Sequence, residues 1–282
     1  MKIPFNIPYT NGKEIEYIKK AIANGHLSGN GPFMKKCQQI FEEKWKFKKA
    51  LLTTSCTDAL EMAALLIDIK PGDEVIVPAY TFVSTALAFA RQGAKIVFID
   101  SREDHPGMNE DLLEELITPE TKAIVPVHYA GVACDMDRIM EVADKHELFV
   151  IEDAAHAINC YYKNRPLGGI GHFGCFSFHE TKPIHCGEGG MLTINDEKFI
   201  DRAEIIWEKG KKEIEGQPFA EVIECGFLKP TKALRPGDTV TLRLSIKNEG
   251  KGNLYELKAK LLTDYPIYFG TVKPGKTVTR NV

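Results

Sequence analysis

No two cysteines in this sequence have the C-x-x-C spacing that a zinc site or a thioredoxin-like redox site requires. The cysteines are also odd in number and scattered, which argues against the disulfide framework of a small secreted protein. They are Cys37, Cys56, Cys134, Cys160, Cys175, Cys186 and Cys225. We therefore expect reduced thiols, no metal site and a cytoplasmic location.

A hydrophobic run long enough to enter a membrane is also missing. The amino terminus, MKIPFNIPYT, has no apolar stretch like that of a signal peptide. The most apolar later segment, Val75 to Ala90, is interrupted by Pro78 and is too short to span a bilayer. An excess of charge is absent as well, because 36 Lys and Arg residues nearly balance 39 Asp and Glu residues. These absences predict a soluble protein without a membrane or nucleic-acid partner.

The composition is that of an ordinary globular protein, with 44% apolar and 27% charged residues in a chain of 282. The sequence contains no internal repeat and no low-complexity segment. A chain of this length can bury one large α/β core together with a small additional module. We therefore expect two domains.

Seven short β-type runs, several of them almost wholly apolar, lie between residues 48 and 195. They are KALLTTS, EVIVPAY, KIVFID, AIVPVHY, LFVIEDA, CFSFHET and GGMLTIN. Helical patterns follow the first, second and fourth runs, and this alternation predicts a seven-stranded, mostly parallel sheet with helices on both faces. The GEGG sequence before the last run predicts a tight turn, so we expect the last strand to be antiparallel.

The character of the sequence changes after a helix expected over roughly residues 197–209. Period-2 runs, TVTLRLSIKN and ELKAKLLT, then alternate with turn sequences such as RPGD and KPGK, which predicts a small β-sandwich-like module. We place the first domain at residues 1–212 and the second at residues 213–282. A strand-like run ends directly at Val282, which leaves open whether the sandwich is complete.

The carboxyl ends of the predicted strands are where a sheet of this kind binds its ligands. After the first strand, the sequence TTSCTDAL breaks into a helix at Ser55, Cys56 and Thr57, whose hydroxyls and free helix amides suit a phosphate group. The simpler alternative is that Thr57 only caps the helix.

After the fifth strand, FVIEDAAHA places two adjacent carboxylates, Glu152 and Asp153, on opposite faces of the sheet, so one of them can enter the cleft. A carboxylate there would pair with a pyridinium nitrogen and keep a pyridoxal ring protonated. The alternative is that the Asp caps a following helix. His156 could hydrogen-bond a cofactor ring or could lie on a helix face.

After the sixth strand, CFSFHETKPIHCGEGG places Ser177 in the strand and Lys182 just beyond it. A lysine beside a dry cleft can lose its proton and attack an aldehyde as an amine, whereas most lysines in such positions are solvated surface charges. Phe82, after the second strand, could stack on a flat ring or pack in the core. His128 ends the fourth strand and should face the same cleft, without an assigned role.

Together these segments resemble the sugar aminotransferases of the DegT/DnrJ/EryC1/StrS family, which have the fold type I architecture of aspartate aminotransferase. The resemblance runs from LLTTSCTDAL through IVPVHYAGVACDMD and IEDAAHA to CFSFHETK and GEGG, in the order and spacing of the family, and stops near Gly210. The family's small carboxyl-terminal domain is not matched. The tail instead resembles a fragment of an immunoglobulin-like, CARDB-type module.

The resemblance implies a role for each candidate residue. Lys182 would be the lysine that binds pyridoxal phosphate covalently, and Asp153 would pair with the pyridine nitrogen. Phe82 would stack on the ring, and His156 stands at a position, commonly Gln, that contacts it. The residues that would bind the cofactor phosphate are Ser177, Cys56 and Thr57.

The implied reaction is a transamination in two halves. Glutamate would give its amino group to the cofactor, and the C4 ketone of a dTDP-4-keto-6-deoxyhexose would receive it, for nucleotide-sugar and cell-surface polysaccharide biosynthesis. Lys182 would release the cofactor when the donor arrives and then carry protons as a free amine. A homodimer is also implied, because pyridoxal sites of this fold are shared between subunits.

Departures from the family pattern keep other functions open. Trp207 stands where the family often has Arg, and Pro183 where it often has Asn. One alternative is a catalytically impaired protein whose cofactor domain serves as a scaffold while the β module binds a partner. A dehydratase acting on the same sugars is a further alternative, although the dehydratases that replace the lysine by His are disfavoured because Lys182 is kept.

Overall fold

A computed structural model of the chain describes residues 3–4, 6–208, 220–227, 242–248, 254–260, 266–272 and 277–281, with side chains described up to residue 208. The chain divides into two compact units, Met1–Trp207 and Glu208–Val282. The first unit contains every residue that the sequence predicts to bind a cofactor.

The strands of the first unit form one large sheet and one small hairpin. They are β1 (Lys49–Thr53), β2 (Glu74–Pro78), β3 (Lys95–Ile99), β4 (Thr121–Ile124), β5 (Phe149–Asp153), β6 (Tyr161–Tyr162), β7 (Arg165–Pro166), β8 (Phe173–Ser177) and β9 (Gly190–Ile194). The large sheet has the order β1-β9-β8-β5-β4-β2-β3, and β6 pairs with β7. Only β9 runs against the other strands of the large sheet. The predicted seven-stranded, mostly parallel sheet and its antiparallel last strand are confirmed.

The α-helices of the first unit lie before, between and after these strands. They are α1 (Glu14–Ala23), α2 (Pro32–Trp45), α3 (Cys56–Leu66), α4 (Val83–Ala90), α5 (Leu113–Leu116), α6 (Met136–Lys145) and α7 (Ile200–Trp207). The three helices predicted after the first, second and fourth strands are α3, α4 and α6. Within the part of the chain that the structure describes, no helix has both the length and the apolar character needed to cross a bilayer.

The central strands bury both of their faces. In β2, Val75 and Val77 pack into one cluster with α3 and α4, whereas Ile76 packs into another cluster with α6. The same alternation sends Ile151 and Val150 of β5 to opposite clusters. Burial of each such side chain contributes roughly 1.5–3 kcal/mol. The sheet is therefore a rigid layer between helices, and its strand ends are fixed relative to one another.

The outer edge of β1 is covered by side chains of α2 and α7. Gln38 Nε2 donates to the Ala50 carbonyl (2.8 Å), and Glu42 Oε1 accepts from the Ala50 N–H (3.0 Å). Trp207 Nε1 donates to the Leu52 carbonyl (2.6 Å). An uncovered edge strand is a template for pairing with another chain. Trp207, which departs from the family pattern, therefore helps to cover this edge of the sheet.

The second unit is described through its backbone strands alone. They are β10 (Ala220–Phe227), β11 (Leu242–Asn248), β12 (Leu254–Lys260), β13 (Pro266–Val272) and β14 (Thr277–Asn281). An antiparallel sheet has the order β10-β11-β14, and β12 pairs with β13. The predicted turns RPGD and KPGK lie outside the described residues. The assignment of residues 213–282 to an immunoglobulin-like module stays a prediction.

Glu152, near the end of β5, is a fully buried carboxylate with four hydrogen bonds. Its Oε1 accepts from the N–H groups of Ile170 (2.7 Å) and Gly171 (2.6 Å). Its Oε2 accepts from the Gly168 N–H (2.7 Å) and from His128 Nε2 (3.0 Å). Because a buried carboxylate requires such donors, it fixes the glycine-rich turn that contains the three amides.

We predict that Glu152→Gln destabilises the protein by roughly 3–5 kcal/mol. Each carboxylate oxygen accepts two hydrogen bonds, so either orientation of a Gln amide would point its NH₂ group at two donors. Urea unfolding followed by tryptophan fluorescence measures the change. The control is Glu141→Gln, because Glu141 is an exposed partner of Arg138 and should contribute less than about 1 kcal/mol. Equal unfolding midpoints for the two variants would contradict this role of Glu152.

Candidate active site

A cavity of about 910 Å³ opens at the carboxyl ends of β1, β2, β4, β5 and β8. Its volume suits a small organic ligand. Every site residue predicted from the sequence lines it, and so does His128. The predicted residues are Cys56, Thr57, Phe82, Asp153, His156, Ser177 and Lys182. Residues from distant parts of the sequence thus meet because parallel strands end at one edge of the sheet.

The first turn of α3 forms one wall of the cavity. Ser55 caps this helix, because its Oγ accepts a hydrogen bond from the Asp58 N–H (3.1 Å). The interpretation of Thr57 as the cap is therefore wrong, and Thr57 Oγ1 instead bonds Ser84 Oγ of α4 (2.8 Å). The N–H groups of Cys56 and Thr57 lie in the first turn, where helix amides have no helical partner. This wall can therefore bind an anion.

Gly190, at the start of β9, packs directly against that helix turn. A Cβ at this position would lie 2.2 Å from the Ser55 carbonyl carbon and 2.4 Å from the Cys56 nitrogen. The last glycine of GEGG is therefore required by close packing. The turn itself uses Gly187, whose φ of +89° is unfavourable for other residues.

Asp153 faces the cavity, whereas Glu152 faces the other side of the sheet. Thr85 Oγ1 donates to Asp153 Oδ2 (2.7 Å), and the Ala155 N–H donates to Oδ1 (3.2 Å). The helix-cap alternative is wrong, because the residues after Asp153 form turns. Burial raises the pKa of the Asp153 carboxyl against the lowering effect of the two hydrogen bonds. A positively charged group in the cavity would therefore relieve a poorly solvated carboxylate.

Lys182 is presented by a hairpin-like loop between β8 and β9. The Phe178 N–H donates to the Gly189 carbonyl (2.8 Å), and the Glu180 N–H donates to the Gly187 carbonyl (2.8 Å). These bonds extend the pairing of the two strands beyond their ends. The loop thus carries the lysine from the end of β8 to the cavity wall.

The Lys182 side chain is half-buried and forms no ion pair with any residue that the structure describes. Burial lowers the pKa of its ammonium, and the nearby Cys56 and Asp153 oppose this shift in part. Burial also raises the pKa of the Cys56 thiol well above its usual range. The amine is therefore the nucleophile of the cavity, and the thiol stays protonated.

An amino-terminal segment holds the lysine loop from outside. Asn6 Nδ2 donates to the Glu180 carbonyl (3.2 Å), and Asn6 also lines the cavity. His185 Nε2 donates to the Tyr9 carbonyl (2.8 Å). The two bonds lie on either side of Lys182 in the sequence. No sequence pattern identified this segment, because its contacts join residues more than 170 positions apart.

Ser177 and Phe82 both line the cavity but differ in exposure to solvent. Ser177 lies at the end of β8, half-buried, where its Oγ accepts from the His179 N–H (3.3 Å). Phe82 precedes α4 and is 72% exposed, so the alternative of core packing is wrong. An exposed aromatic at the rim is free to cover a flat ligand.

His156 and His128 both line the cavity near the end of β5, but their rings have different partners. His156 lies in a turn, so its assignment to a helix face is wrong, and its Nδ1 accepts from the Ala130 N–H (3.1 Å). The His128 ring has no exposed surface and is bound to Glu152. His128 lines the cavity, as expected from the sequence, while its ring is bound to Glu152 in the interior.

Four further polar side chains of the site were not predicted from the sequence. Thr85 orients Asp153 and is itself bonded to Thr81 Oγ1 (2.7 Å). Tyr80 and Tyr129 pair at the cavity wall, with a hydroxyl–hydroxyl distance of 3.2 Å. The four-residue spacing of the two threonines was a usable signal, since it places both hydroxyls on one face at a helix start.

Comparison with known proteins finds a family match and related sequences. The model of the DegT/DnrJ/EryC1/StrS aminotransferase family matches residues 8–228. The spore coat polysaccharide biosynthesis protein SpsC of Bacillus subtilis (strain 168) is 42% identical over 204 residues, which are 72% of this chain and 52% of that protein. GDP-perosamine synthase of Caulobacter vibrioides is 37% identical over 209 residues, 74% of this chain and 56% of that protein.

A solved structure is also similar to this chain. The PLP form of Spr1654 from Streptococcus pneumoniae is similar with a TM-score of 0.68 and 33% identity, over 77% of this chain and 59% of that chain. The first unit therefore has the expected fold type I architecture. The chain spans about half the length of the curated relatives it matches.

We predict that Lys182 reacts with an amine reagent faster than Lys163. Burial lowers the pKa of Lys182, whereas a hydrogen bond to Asp137 raises the pKa of the exposed Lys163. The reactive free amine becomes tenfold more abundant for each unit by which the pKa falls, so we expect at least about a tenfold difference in rate at about pH 8. Trace labelling with acetic anhydride and peptide mass spectrometry measure both rates. Equal rates would refute the lowered pKa.

Proposed function

Because the chain belongs to the DegT/DnrJ/EryC1/StrS aminotransferase family, we propose that it is a pyridoxal-phosphate-dependent sugar aminotransferase with Lys182 as its catalytic lysine. Aminotransferases of this family bind pyridoxal phosphate. One observation carries the proposal. Among the described residues, an amine without an ion pair, Lys182, and a buried carboxylate without a lysine or arginine partner, Asp153, share one cavity.

The walls of the cavity fit this cofactor. Gly190 leaves no Cβ against the start of α3, so the first-turn amides remain open to a phosphate. Asp153 offers its carboxylate to a protonated ring nitrogen. Lys182 offers an amine of lowered pKa to an aldehyde. The residues proposed to bind the phosphate are Ser177, Cys56 and Thr57, with Phe82 and His156 against the ring.

The chain's own residues would orient the cofactor and move protons. When bound, pyridoxal phosphate supplies an electron-withdrawing ring that accepts the electron pair of a broken Cα–H bond. Asp153, held by Thr85, keeps the ring nitrogen protonated. Lys182 Nζ, as a free amine, removes a proton from the Cα of the amino donor and later returns one to the acceptor carbon.

We propose glutamate as the amino donor and the C4 ketone of a dTDP-4-keto-6-deoxyhexose as the acceptor. The sugar assignment is supported by relatives named for GDP-perosamine synthesis and for spore coat polysaccharide biosynthesis. The nucleotide rests on the sequence resemblance. A keto sugar suits the proposed chemistry, because its ketone can receive the amino group that the donor leaves on the cofactor.

We further propose a cytoplasmic homodimer. A sugar nucleotide carries two phosphates, yet Lys182 is the only lysine or arginine among the described residues that line the cavity. Further cations are needed, and a second copy of the chain could supply them. The cytoplasmic location is supported by the cysteines, because the described ones are free and reduced thiols are typical of cytosolic proteins.

The competing function is a scaffold. In this alternative the protein keeps the cofactor domain, residues 1–212, as a scaffold without turnover. In that case the module at residues 213–282 would bind a partner. The two functions differ in what happens after the cofactor binds.

Trapping the cofactor tests the role of Lys182. We expect protein mixed with pyridoxal phosphate to gain a visible absorption band, and borohydride to fix the cofactor to the peptide that contains Lys182. Lys182→Ala should lose both signals, because no other described lysine lines the cavity. Lys163→Ala should keep them, since Lys163 lies at the surface beside Asp137. A wild-type protein without the band would refute the proposal.

Turnover separates the enzyme from the scaffold. We expect glutamate to abolish the visible band in the wild-type protein, and a dTDP-4-keto-6-deoxyhexose to restore it, because the amino group is stored on the cofactor between the two halves. Absorption spectra and mass detection of the amino sugar follow each half separately. A band that responds to neither compound would favour the scaffold function.

A further inference from the structure

His156 is held by a strained turn that follows β4. Ala130, within this turn, has φ +53° and ψ +21°, a left-handed conformation that costs a non-glycine residue roughly 1–2 kcal/mol. Its N–H donates to His156 Nδ1 (3.1 Å). The Tyr129 ring meets the His156 ring edge-on, with centroids 5.3 Å apart. Strain of this kind persists only where the surrounding structure enforces it.

Several contacts enforce the turn. The Gly131 N–H donates to the His128 carbonyl (3.0 Å), and the His128 N–H donates to the Asp153 carbonyl (3.0 Å). Gly131 also touches the segment of His156, because a Cβ there would lie 2.8 Å from Cys160 Sγ. The turn is thus packed against the end of β5 and against the residues that follow β5.

The Ala130 bond decides which nitrogen of His156 carries the proton. A nitrogen that accepts a hydrogen bond from an amide cannot itself be protonated, so a neutral ring must carry its proton on Nε2. Burial lowers the pKa of His156, and the positive charge of Lys182 lowers it further. The ring is therefore neutral at neutral pH, and its Nε2–H is left for the cavity that His156 lines.

We infer that Ala130 and its left-handed turn are a positioning device that fixes His156 as the Nε2–H tautomer, so that the cavity presents one neutral hydrogen-bond donor near Lys182 and Asp153. This inference rests on the proposed function in one respect, namely that the acceptor is an oxygen of the cofactor ring. A donor at that place stabilises a negative oxygen. A charged ring, or the other tautomer, would alter the charge of the site or remove the donor.

Nitrogen NMR of histidine in the cofactor-free protein tests the tautomer directly. We expect the His156 signals, assigned by their loss in His156→Gln, to have the Nε2–H pattern at neutral pH. Ala130→Gly keeps the amide and relieves the strain, so it should keep this pattern. Gly131→Ala should displace the turn and produce a mixture of tautomers. A wild-type ring that is charged, or protonated on Nδ1, would overturn the inference.

Two substitutions of His156 test the role of the donor and do not depend on the folding of Gly131→Ala. His156→Gln can accept from Ala130 through its oxygen and donate through its nitrogen, whereas His156→Met fills similar space without a donor. The pH at which the visible band of bound pyridoxal phosphate titrates should stay near the wild-type value in the Gln variant. It should rise by about one unit in the Met variant, a tenfold change in proton affinity.

The NMR experiment and the titration distinguish a failure of the inference from a failure of the proposed function. Identical titrations of the Gln and Met variants would overturn the inference while leaving the proposed function standing. A protein that has the Nε2–H tautomer but binds no pyridoxal phosphate would refute the proposed function, and with it the assignment of the acceptor oxygen.

Discussion

The Glu152 carboxylate is the group on which most of the cavity depends. Three of its four hydrogen bonds come from backbone amides of one glycine-rich turn, and the fourth comes from His128. His128 in turn begins the segment that binds His156 and donates its own N–H to the Asp153 carbonyl. A charge on the face of the sheet away from the ligand therefore fixes two parts of the ligand-binding wall.

The same glycine-rich turn connects to the opposite wall. The Gly168 carbonyl accepts from Thr193 Oγ1 (2.5 Å) and from Asn195 Nδ2 (3.1 Å), at the end of β9. The other end of β9 is Gly190, which lies against the first turn of α3. A continuous series of side-chain and backbone contacts thus runs from Glu152 to the amides that face the cavity. A site built from such contacts is arranged before its ligand arrives, which lowers the cost of binding.

The sequence was sufficient for the sheet and for the candidate residues at its strand ends, because both follow from simple periodicities. Apolar runs mark buried strands, and parallel strands bring their carboxyl ends together. It was insufficient where the partner is distant. The alternation at Glu152 and Asp153 could not say which carboxylate enters the cleft, because the donors to Glu152 are amides 16 to 19 residues further on. Two hydroxyl residues, Ser55 and Thr57, competed for one cap, and only the geometry separates them. Helix α1 buries none of its residues, so no core-facing pattern marks it.

The electrostatics of the cavity point to a ligand with separated charges. Burial raises the pKa of Asp153 and lowers the pKa of Lys182, so both groups are moved toward their neutral forms. A simple anion would satisfy the α3 amides but would leave Asp153 unpaired. A ligand with a cationic ring at Asp153 and an anionic group at α3 satisfies both walls, and these interactions are stronger in a partly dry cavity than in water. The selectivity of the site therefore lies in the distance between its two walls, which the sheet fixes through β5, β8 and β9.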